Sequence, residues 1–262
     1  MSIQPAVDVS TSYSQPSDRK GKFFTAKRYG TPLLIVASLG ALLLFLQLRG
    51  APDKIEAFAL NWPYMLAKID EHIRLSIAAA LLVAAIAIPA GIVVSRSKSK
   101  IVRGTIVGIG NIGQATPAVG VIILLALILG IGWETAIIAL VFYGLLPVIR
   151  NTMVGISQIN PSIIESAKGM GMTGGQILRK IELPLAVPVI LAGFRTTLVF
   201  SVGVATIATF INAGGLGEVL VVGLKLSREA VTLTGAVVVS CIALGLDWLA
   251  GLVEDLLKPK GV

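Results

Sequence analysis

The stretch NPSIIESAKGMGMTGGQILRKIELP, residues 160–184, interrupts the hydrophobic second half of the chain with polar and basic side chains. Ser162, followed three residues later by Glu165, has the pattern of a capping box, in which each side chain binds the backbone N–H of the other residue. This pattern predicts a short helix with Ser162 as its N-cap. The apolar face of that helix is predicted to consist of Ile163, Ile164 and Ala167.

Two glycines, Gly169 and Gly171, are placed to end this helix, because glycine adopts a positive φ without a steric penalty. Thr173 and Gln176 form a second capping-box pattern, which predicts a further helix. The result is a short amphipathic helix, a hinge and another helix, a shape that fits the groove of a partner protein. The alternative is a loop at the membrane surface that only connects two spans.

The composition is that of a membrane protein: 55% of the 262 residues are hydrophobic, 14% are charged, and the mean hydropathy is +0.88. The net charge of +8 comes from basic residues in short loops between apolar runs. This distribution follows the positive-inside rule and argues against nucleic acid as a partner. The single cysteine, Cys241, excludes an internal disulfide, and the single histidine, His72, lacks the companions that a metal site requires.

Six apolar runs predict an all-α polytopic membrane protein with about six transmembrane helices. The runs are residues 32–48, 73–95, 105–131, 135–149, 185–211 and 230–252. Residues 1–31, which are polar and basic, are predicted to form a flexible cytoplasmic tail. Residues 32–72 are predicted to contain the first span and an extracytoplasmic segment. A short re-entrant or surface helix is predicted on the outer face, between the last two spans.

Orientation follows from the loop after the second span, which carries four basic residues within eight positions and no acidic residue. They are Arg96, Lys98, Lys100 and Arg103. Because short loops rich in Lys and Arg stay in the cytoplasm, this loop is predicted to be cytoplasmic. With six spans, residues 150–184 and both chain termini then lie on the cytoplasmic side as well.

The third span is interrupted by polar residues and a proline, namely Asn111, Gln114, Thr116 and Pro117. Proline lacks a backbone donor and keeps the preceding residue out of the helical region, so a kink is predicted at Pro117. Polar groups at a kink within the membrane either line a translocation path or pack against another helix. The sequence leaves both interpretations open.

Two charged residues are predicted to lie within the membrane, Arg195 in the fifth span and Asp247 in the sixth. An isolated charge at the centre of a span costs about 2.5–3.5 kcal/mol on insertion scales. The two side chains are therefore predicted either to form an ion pair or to extend separately towards the membrane surface.

A resemblance to a known family is carried by Glu165, Ala167, Gly171, Ile181, Leu183 and Pro184. Their spacing is similar to the EAA loop in the membrane subunits of ABC importers, with Ser166 where that family usually has alanine. The resemblance implies a five-helix permease core in residues 73–262, preceded by one extra span, in the cytoplasmic (inner) membrane of a prokaryote. It also implies that residues 150–184 couple this core to a separate ATPase. The residues implied in the coupling are Ile163, Ile164, Glu165, Ala167, Gly171, Ile181, Leu183 and Pro184.

Within that family, the sequences ESAKGMGMTGGQIL, ELPLAVPVILAGFRT and INAGGLG are most similar to osmoprotectant permeases. The resemblance implies transport of glycine betaine, choline or carnitine, although permeases for other small solutes such as methionine share the loop signature. Aromatic residues make up only 6% of the chain and are scattered in sequence, whereas quaternary ammonium ligands are usually held by several rings. Selective capture is therefore assigned to an extracytoplasmic substrate-binding protein.

The sequence contains no P-loop, so no cofactor is predicted on this chain, and ATP with Mg²⁺ is expected on the partner ATPase. The family resemblance further implies two ATPase subunits and a second permease subunit, identical or paralogous, in a lipid membrane. A stand-alone channel, a secondary transporter and a membrane scaffold are the alternatives from other classes. No filter motif or repeat with buried acidic ion sites favours the first two. No nucleophile–base set or metal cluster indicates an enzyme.

Overall fold

The computed structural model of the chain describes residues 19–97 and 99–257, and every regular element in these ranges is helical. The helices are α1 (Arg19–Leu48), α2 (Lys54–Ala59), α3 (Trp62–Arg96), α4 (Lys100–Ala115), α5 (Ala118–Leu129), α6 (Trp133–Ser157), α7 (Pro161–Gly169), α8 (Gly174–Ile177), α9 (Leu183–Ala205), α10 (Gly217–Lys225) and α11 (Glu229–Leu257). A π-helical turn, Leu178–Glu182, joins α8 to α9, and a 3-10 turn, Ile207–Ile211, follows α9. Both chain termini, including residues 1–18 of the predicted tail, lie outside the described residues.

Five of the described helical segments are long and apolar enough to cross a membrane. They are Tyr29–Leu48 within α1, then α3, α6, the continuous segment Gly174–Ala205, and α11. The predicted span 105–131 is divided between α4 and the shorter apolar helix α5. The prediction of an all-α polytopic membrane protein is confirmed. We refer to α4 and α5, which share the predicted third span, as the third crossing.

Two helices extend beyond the apolar runs that predicted them. Helix α1 begins at Arg19, so the prediction of a flexible tail is wrong for residues 19–31, which are helical. Helix α6 continues to Ser157, past the predicted end of its span at residue 149. Hydropathy detects only the part of a helix that lies in lipid, whereas basic and polar residues with good helix propensity prolong it into water.

Helix α3 begins at Trp62, well before the predicted second span. Asn61 is its N-cap and accepts a hydrogen bond from the backbone N–H of Tyr64 at 2.9 Å. Charged residues in its first turns pair along the helix, as Arg74 does with Asp70 at 2.8 Å. Such pairs stabilise the polar part of a helix, which a search for apolar runs does not detect.

The third crossing is broken at Thr116 and Pro117. Helix α4 ends at Ala115, Thr116 is extended with φ −86° and ψ 139°, and α5 begins at Ala118. The sequence predicted a kink at Pro117, and the structure has a complete interruption of the helix. The cause is the one expected: the residue before a proline is kept out of the helical region, and proline cannot donate to the preceding turn.

Helix α6 is the centre of the bundle, with α3 running parallel to it and α4 and α9 antiparallel. Small residues allow these helices to approach closely, as is common between helices in membranes. A Cβ added to Gly144 would lie 2.7 Å from Val83 on α3 and 2.8 Å from Thr197 on α9. A Cβ added to Gly110 of α4 would lie 2.9 Å from Leu146. Helix α6 therefore fixes the relative positions of three other helices.

The segment after α9 folds back over the first turns of α3. Asn212, Gly214 and Gly215 have positive φ values of 59°, 79° and 84°, which turn the chain sharply before the short helix α10. The carboxylate of Glu71 on α3 accepts a hydrogen bond from the Gly215 N–H at 2.8 Å. Lys68 pairs with that carboxylate and also binds Glu218 at 2.7 Å. The predicted short helix between the last two spans is thus present and is held to α3 by charged groups.

Candidate functional site

The segment 160–184 forms α7, a turn, and the beginning of the long helical segment that contains α9. The N-cap of α7 is Asn160, whose side-chain oxygen accepts a hydrogen bond from the Ser162 N–H at 3.0 Å. The prediction that Ser162 is the N-cap, in a capping box with Glu165, is therefore wrong. Asparagine is at least as good an N-cap as serine, and Pro161 is preorganised for the first helical position, so the helix begins two residues earlier.

The end of α7 is a Schellman motif. Gly171 has φ +79°, its N–H donates to the Lys168 carbonyl at 2.9 Å, and the Met172 N–H donates to the Ala167 carbonyl at 3.1 Å. Gly171 is thus the residue that ends the helix, as the sequence predicted. Gly169 is still part of α7 and does not take a positive φ, contrary to the prediction.

The predicted apolar face of α7 is only partly covered by the rest of the chain. Ala167 is fully buried and Ile164 is partly buried, but the Ile163 side chain is 42% exposed. Met170, in the turn that follows, is 74% exposed, and Glu165 also lies at the surface. The helix therefore presents large apolar side chains beside a charged one, a surface that a protein partner can cover.

The second predicted capping box is present at the start of α8. The Thr173 N–H donates to the Gln176 side chain at 2.8 Å, and the Gln176 N–H donates to the Thr173 hydroxyl at 3.4 Å. The π-helical turn Leu178–Glu182 follows and ends directly before Leu183 and Pro184. A proline crowds the carbonyl four residues before it and cannot bind it, so a widened turn at this place accommodates Pro184.

Three positions of the loop signature, Ile181, Leu183 and Pro184, are partly buried in this continuous helical segment. These three residues lie where the segment joins α9, which we call the base of the segment, whereas Ile163 and Glu165 lie on the exposed helix α7. The base is held to α3: the guanidinium of Arg96 pairs with the carboxylate of Glu182 and donates to the Gly174 carbonyl at 3.3 Å.

The break between α4 and α5 is held by polar contacts to α6. The Tyr143 hydroxyl donates to the Thr116 carbonyl, and the Gln114 side chain donates to the Tyr143 carbonyl at 3.3 Å. One turn before Gln114, the Asn111 side chain accepts a hydrogen bond from Arg150 at 2.7 Å. Asn111 and Gln114 remain exposed, so these contacts do not cover the break.

An aromatic pair lies beside this break and was missed by sequence reasoning. The ring of Tyr143 on α6 and the ring of Phe200 on α9 have centroids 6.1 Å apart. Tyr143 is buried, but Phe200 is 40% exposed and follows Thr196 and Ala192 on an exposed stripe of α9. The structure thus brings Tyr143, which touches the break, together with Phe200, which is distant in sequence.

The two charges predicted within the membrane are in contact. The guanidinium of Arg195 on α9 binds the carboxylate of Asp247 on α11 through two hydrogen bonds of 3.0 and 2.9 Å. A second acidic partner of Arg195, the carboxylate of Glu254, lies 2.7 Å from the guanidinium. Glu254 was not singled out, although its position seven residues after Asp247 puts it two turns further along the same helix face.

Comparison with known proteins is decisive at the level of the family. Residues 87–259 match the family described as "Binding-protein-dependent transport system inner membrane component". The chain belongs to this family. It is therefore a multi-pass inner-membrane permease subunit of a transport system rather than an enzyme.

Relatives of this permease are named for osmoprotectant transport. It is 40% identical to the choline transport system permease protein OpuBB of Bacillus subtilis, over 79% of this chain and 95% of the relative. It is 39% identical to the glycine betaine/carnitine/choline transport system permease protein OpuCB of the same organism, over 77% of this chain and 92% of the relative. The carnitine transport permease protein OpuCD of Listeria monocytogenes is 40% identical to it, over 78% of this chain and 92% of the relative.

Solved structures of ABC transporters share the fold of this permease. Inward-facing MetNI, a methionine ABC transporter, contains a chain with a TM-score of 0.66 at 21% identity, covering 76% of this chain and 100% of that one. A chain of an amino acid ABC transporter matches with a TM-score of 0.65 at 16% identity, covering 79% of this chain and all of that one. At these identities the likeness establishes the helical architecture alone.

Proposed function

We propose that this permease moves small osmoprotectants with a quaternary ammonium group, such as choline, glycine betaine and carnitine, across the inner membrane of a prokaryote. The observation that carries the proposal is 40% and 39% identity to permeases named for these solutes, over 95% and 92% of their lengths. The likeness to a methionine transporter is at 21% identity and supports the fold only.

The permease works as one of two membrane subunits, identical or paralogous, with two ATPase subunits and an extracytoplasmic substrate-binding protein. ATP and Mg²⁺ bind to the ATPase. Helices α1 and α5 face lipid, which agrees with large exposed aliphatic side chains such as Leu33 and Leu127. The end of the bundle that carries Arg96, Lys100 and Arg103 lies in the cytoplasm together with both chain termini, in accord with the positive-inside rule.

Helix α7 is the part of the permease that binds the ATPase. Its exposed Ile163 and the neighbouring Met170 require an apolar cover, and Glu165 adds a charge that fixes the orientation of the contact. Gly171 ends the helix, so that the chain turns back to the membrane without lengthening the docked element. Movement of the ATPase subunits during ATP hydrolysis is thereby transmitted to α9 through the base of the segment.

The break in the third crossing lines the translocation path. Asn111 and Gln114 offer exposed polar groups to a solute, and the extended backbone at Thr116 and Pro117 keeps the α4–α5 junction open. In a membrane, backbone outside a helix is tolerated where it is covered by protein or lines a water-filled cavity. Phe200 packs against Tyr143, which contacts this break, and its exposed ring is suited to brief contact with a cationic head group.

The substrate is tested by reconstituting the permease with its ATPase and binding protein in lipid vesicles. Uptake of radiolabelled choline, glycine betaine, carnitine and methionine is measured, and the purified binding protein is titrated with the same four solutes. We expect ATP-dependent uptake of at least one quaternary amine and tight binding of that solute. Uptake of methionine alone, or of none of the quaternary amines, would refute the proposed substrate class.

The contact with the ATPase is tested with Ile163→Asp, and Ile163→Leu is the matched control. The aspartate places a charge in the apolar contact and is expected to abolish co-purification of the ATPase, whereas leucine preserves it. Both variants are expected to insert normally, because the Ile163 side chain is already exposed in the isolated chain. Full ATPase association by Ile163→Asp would mean that the segment only connects two spans.

A further inference from the structure

Arg96 is the last residue of α3, and its guanidinium reaches across to the segment that links α7 to α9. One nitrogen pairs with the carboxylate of Glu182, and another lies 3.3 Å from the carbonyl oxygen of Gly174. The two partners stand at the two ends of α8 and the π-helical turn. A single side chain therefore bridges the beginning and the end of this short stretch.

The bridge is exposed on the arginine side and shielded from solvent on the carboxylate side. The side chain of Glu182 is only 12% exposed and that of Arg96 37%. Arginine is suited to the role, because its planar group can bind a carboxylate and a carbonyl at the same time. Helix α3 itself is firmly packed along α6: a Cβ added to Gly91, near the same end of α3, would lie 2.6 Å from Thr152.

The stretch that Arg96 bridges is otherwise a weak link between α7 and α9. It begins with two consecutive glycines, Gly174 and Gly175, and it ends in the π-helical turn before Pro184. Glycine adds backbone freedom, and helices commonly bend at small residues and at π-helical turns. A movement of α7 would be absorbed there if nothing fixed the stretch to the rest of the bundle.

We propose that Arg96 is a positioning residue for energy coupling: it makes α3 move together with α9 when the ATPase displaces α7. This role rests on the proposed docking of the ATPase on α7. With the bridge present, the two ends of the weak link stay at a fixed distance from α3, and displacement of α7 reaches two membrane-crossing helices. Without it, α7 still binds the ATPase, but the displacement is lost in bending.

The test uses the reconstituted complex with Arg96→Glu, Glu182→Arg and the double variant, which exchanges the two charges. Arg103→Glu, at an exposed position in the first turn of α4, is the control for the loss of positive charge. ATPase co-purification, the thermal midpoint, the stimulation of ATP hydrolysis by the loaded binding protein, and solute uptake per ATP hydrolysed are measured. We expect each single variant to retain the ATPase and to lower uptake per ATP roughly twofold to thirtyfold, the range typical of residues that modulate coupling. The double variant should recover the part of the loss that comes from the 96–182 pair, because a carboxylate at position 96 cannot donate to the Gly174 carbonyl.

Several results would overturn this role. Normal uptake per ATP in both single variants would mean that the bridge is not used. Recovery of the thermal midpoint in the double variant without recovery of uptake per ATP would mean that the pair only stabilises the fold. Loss of ATPase co-purification in Arg96→Glu would assign the residue to docking. If Ile163→Asp retains the ATPase, the docking role of α7 fails first, and that result is obtained without any change at Arg96.

Discussion

The guanidinium of Arg195 on α9 binds the carboxylate of Asp247 on α11 in a bidentate manner, at 3.0 and 2.9 Å, while its third nitrogen binds Glu254 at 2.7 Å. Bidentate pairs of this kind are stronger and more directional than single hydrogen bonds. Both helices cross the membrane, where an unpaired charge finds little water. The three side chains therefore fix the packing of α11 on α9.

Because Arg195 binds two carboxylates, we expect the removal of Arg195 and the removal of Asp247 to lower stability by different amounts. Asp247→Ala leaves Arg195 bound to Glu254, whereas Arg195→Ala leaves two carboxylates unpaired, so Arg195→Ala should lower the thermal midpoint more. The double variant should be less destabilised than the sum of the two, with a coupling energy of about 0.5–3 kcal/mol. Thermal unfolding of the purified permease in detergent measures all three. Strictly additive losses would show that Arg195 and Asp247 do not stabilise each other.

A second prediction concerns the glycines around the turn after α9. A Cβ added to Gly217 would lie 2.1 Å from the carbonyl oxygen of Thr206, so Gly217→Ala must displace the backbone. We expect it to lower stability by about 1–3 kcal/mol, as overpacking does in a tight core.

Gly203→Ala is the matched control for this prediction. Gly203 lies within α9, and a Cβ added there meets no atom within 4 Å. Because alanine is the better helix former, this variant should raise the thermal midpoint slightly, by about 0.5–1 kcal/mol in stability. Similar midpoints for Gly217→Ala and Gly203→Ala would contradict the tight packing of α10 against the end of α9.

Local signals in the sequence predicted local structure well. The Thr173–Gln176 box and the positive φ of Gly171 depend only on neighbouring residues, and both are present. The start of α7 was predicted wrongly for an equally local reason: the Asn160–Pro161 pair is a stronger start signal than Ser162. Hydropathy likewise found the membrane-crossing segments but not how far each helix continues into water.

Contacts between distant helices could not be predicted, because they depend on the register of packing. Arg96 was interpreted only as a charge that sets orientation, and its partner Glu182 lies 86 residues away. The Tyr143–Phe200 pair exists because α9 runs antiparallel to α6 at a spacing that Gly144 permits. The hydrophobic periodicity of each helix does not determine which of its residues meet those of another helix. The sequence therefore identified single site residues but not the contacts between them.

A third prediction tests whether Phe200 contacts the transported cation. Phe200→Leu keeps the apolar volume but removes the aromatic ring, and it should reduce uptake of a quaternary amine by roughly two- to thirtyfold, the strength of a cation–π contact. Phe200→Trp keeps an aromatic face and should retain uptake. Binding of the solute to the extracytoplasmic protein is measured in parallel and should be unchanged, since capture is assigned to that protein.

The control for this series is Phe45→Leu, which makes the same change at a 37% exposed ring on the peripheral helix α1. It should leave uptake unaffected, because α1 is not part of the proposed path. Equal uptake by Phe200→Leu and Phe200→Trp would show that the ring serves packing and not the cation. Packing against a second permease subunit would then be visible as loss of the assembled complex in both variants.

The last prediction distinguishes two possible requirements at Gly171: its backbone conformation, and the absence of a charge at the contact with the ATPase. Its φ of +79° is unfavourable for most side chains, but a Cβ added there meets no atom within 4 Å, so the obstacle is the backbone conformation alone. Asparagine tolerates this conformation and valine does not, so Gly171→Asn should retain ATPase binding while Gly171→Val should lose it. Aspartate tolerates the conformation nearly as well as asparagine, so any loss in Gly171→Asp beyond that in Gly171→Asn reports the added charge at the contact.

Glu165→Lys alters the contact without altering the helix, because Glu165 is exposed and is not part of the N-cap. It should leave the thermal midpoint unchanged within about 0.5 kcal/mol, as surface substitutions do, and still weaken ATPase association. Co-purification of the ATPase and uptake in vesicles are measured together for the four variants. Equal ATPase binding by Gly171→Asn and Gly171→Val would mean that the end of α7 does not have to be held in this conformation for the ATPase to bind.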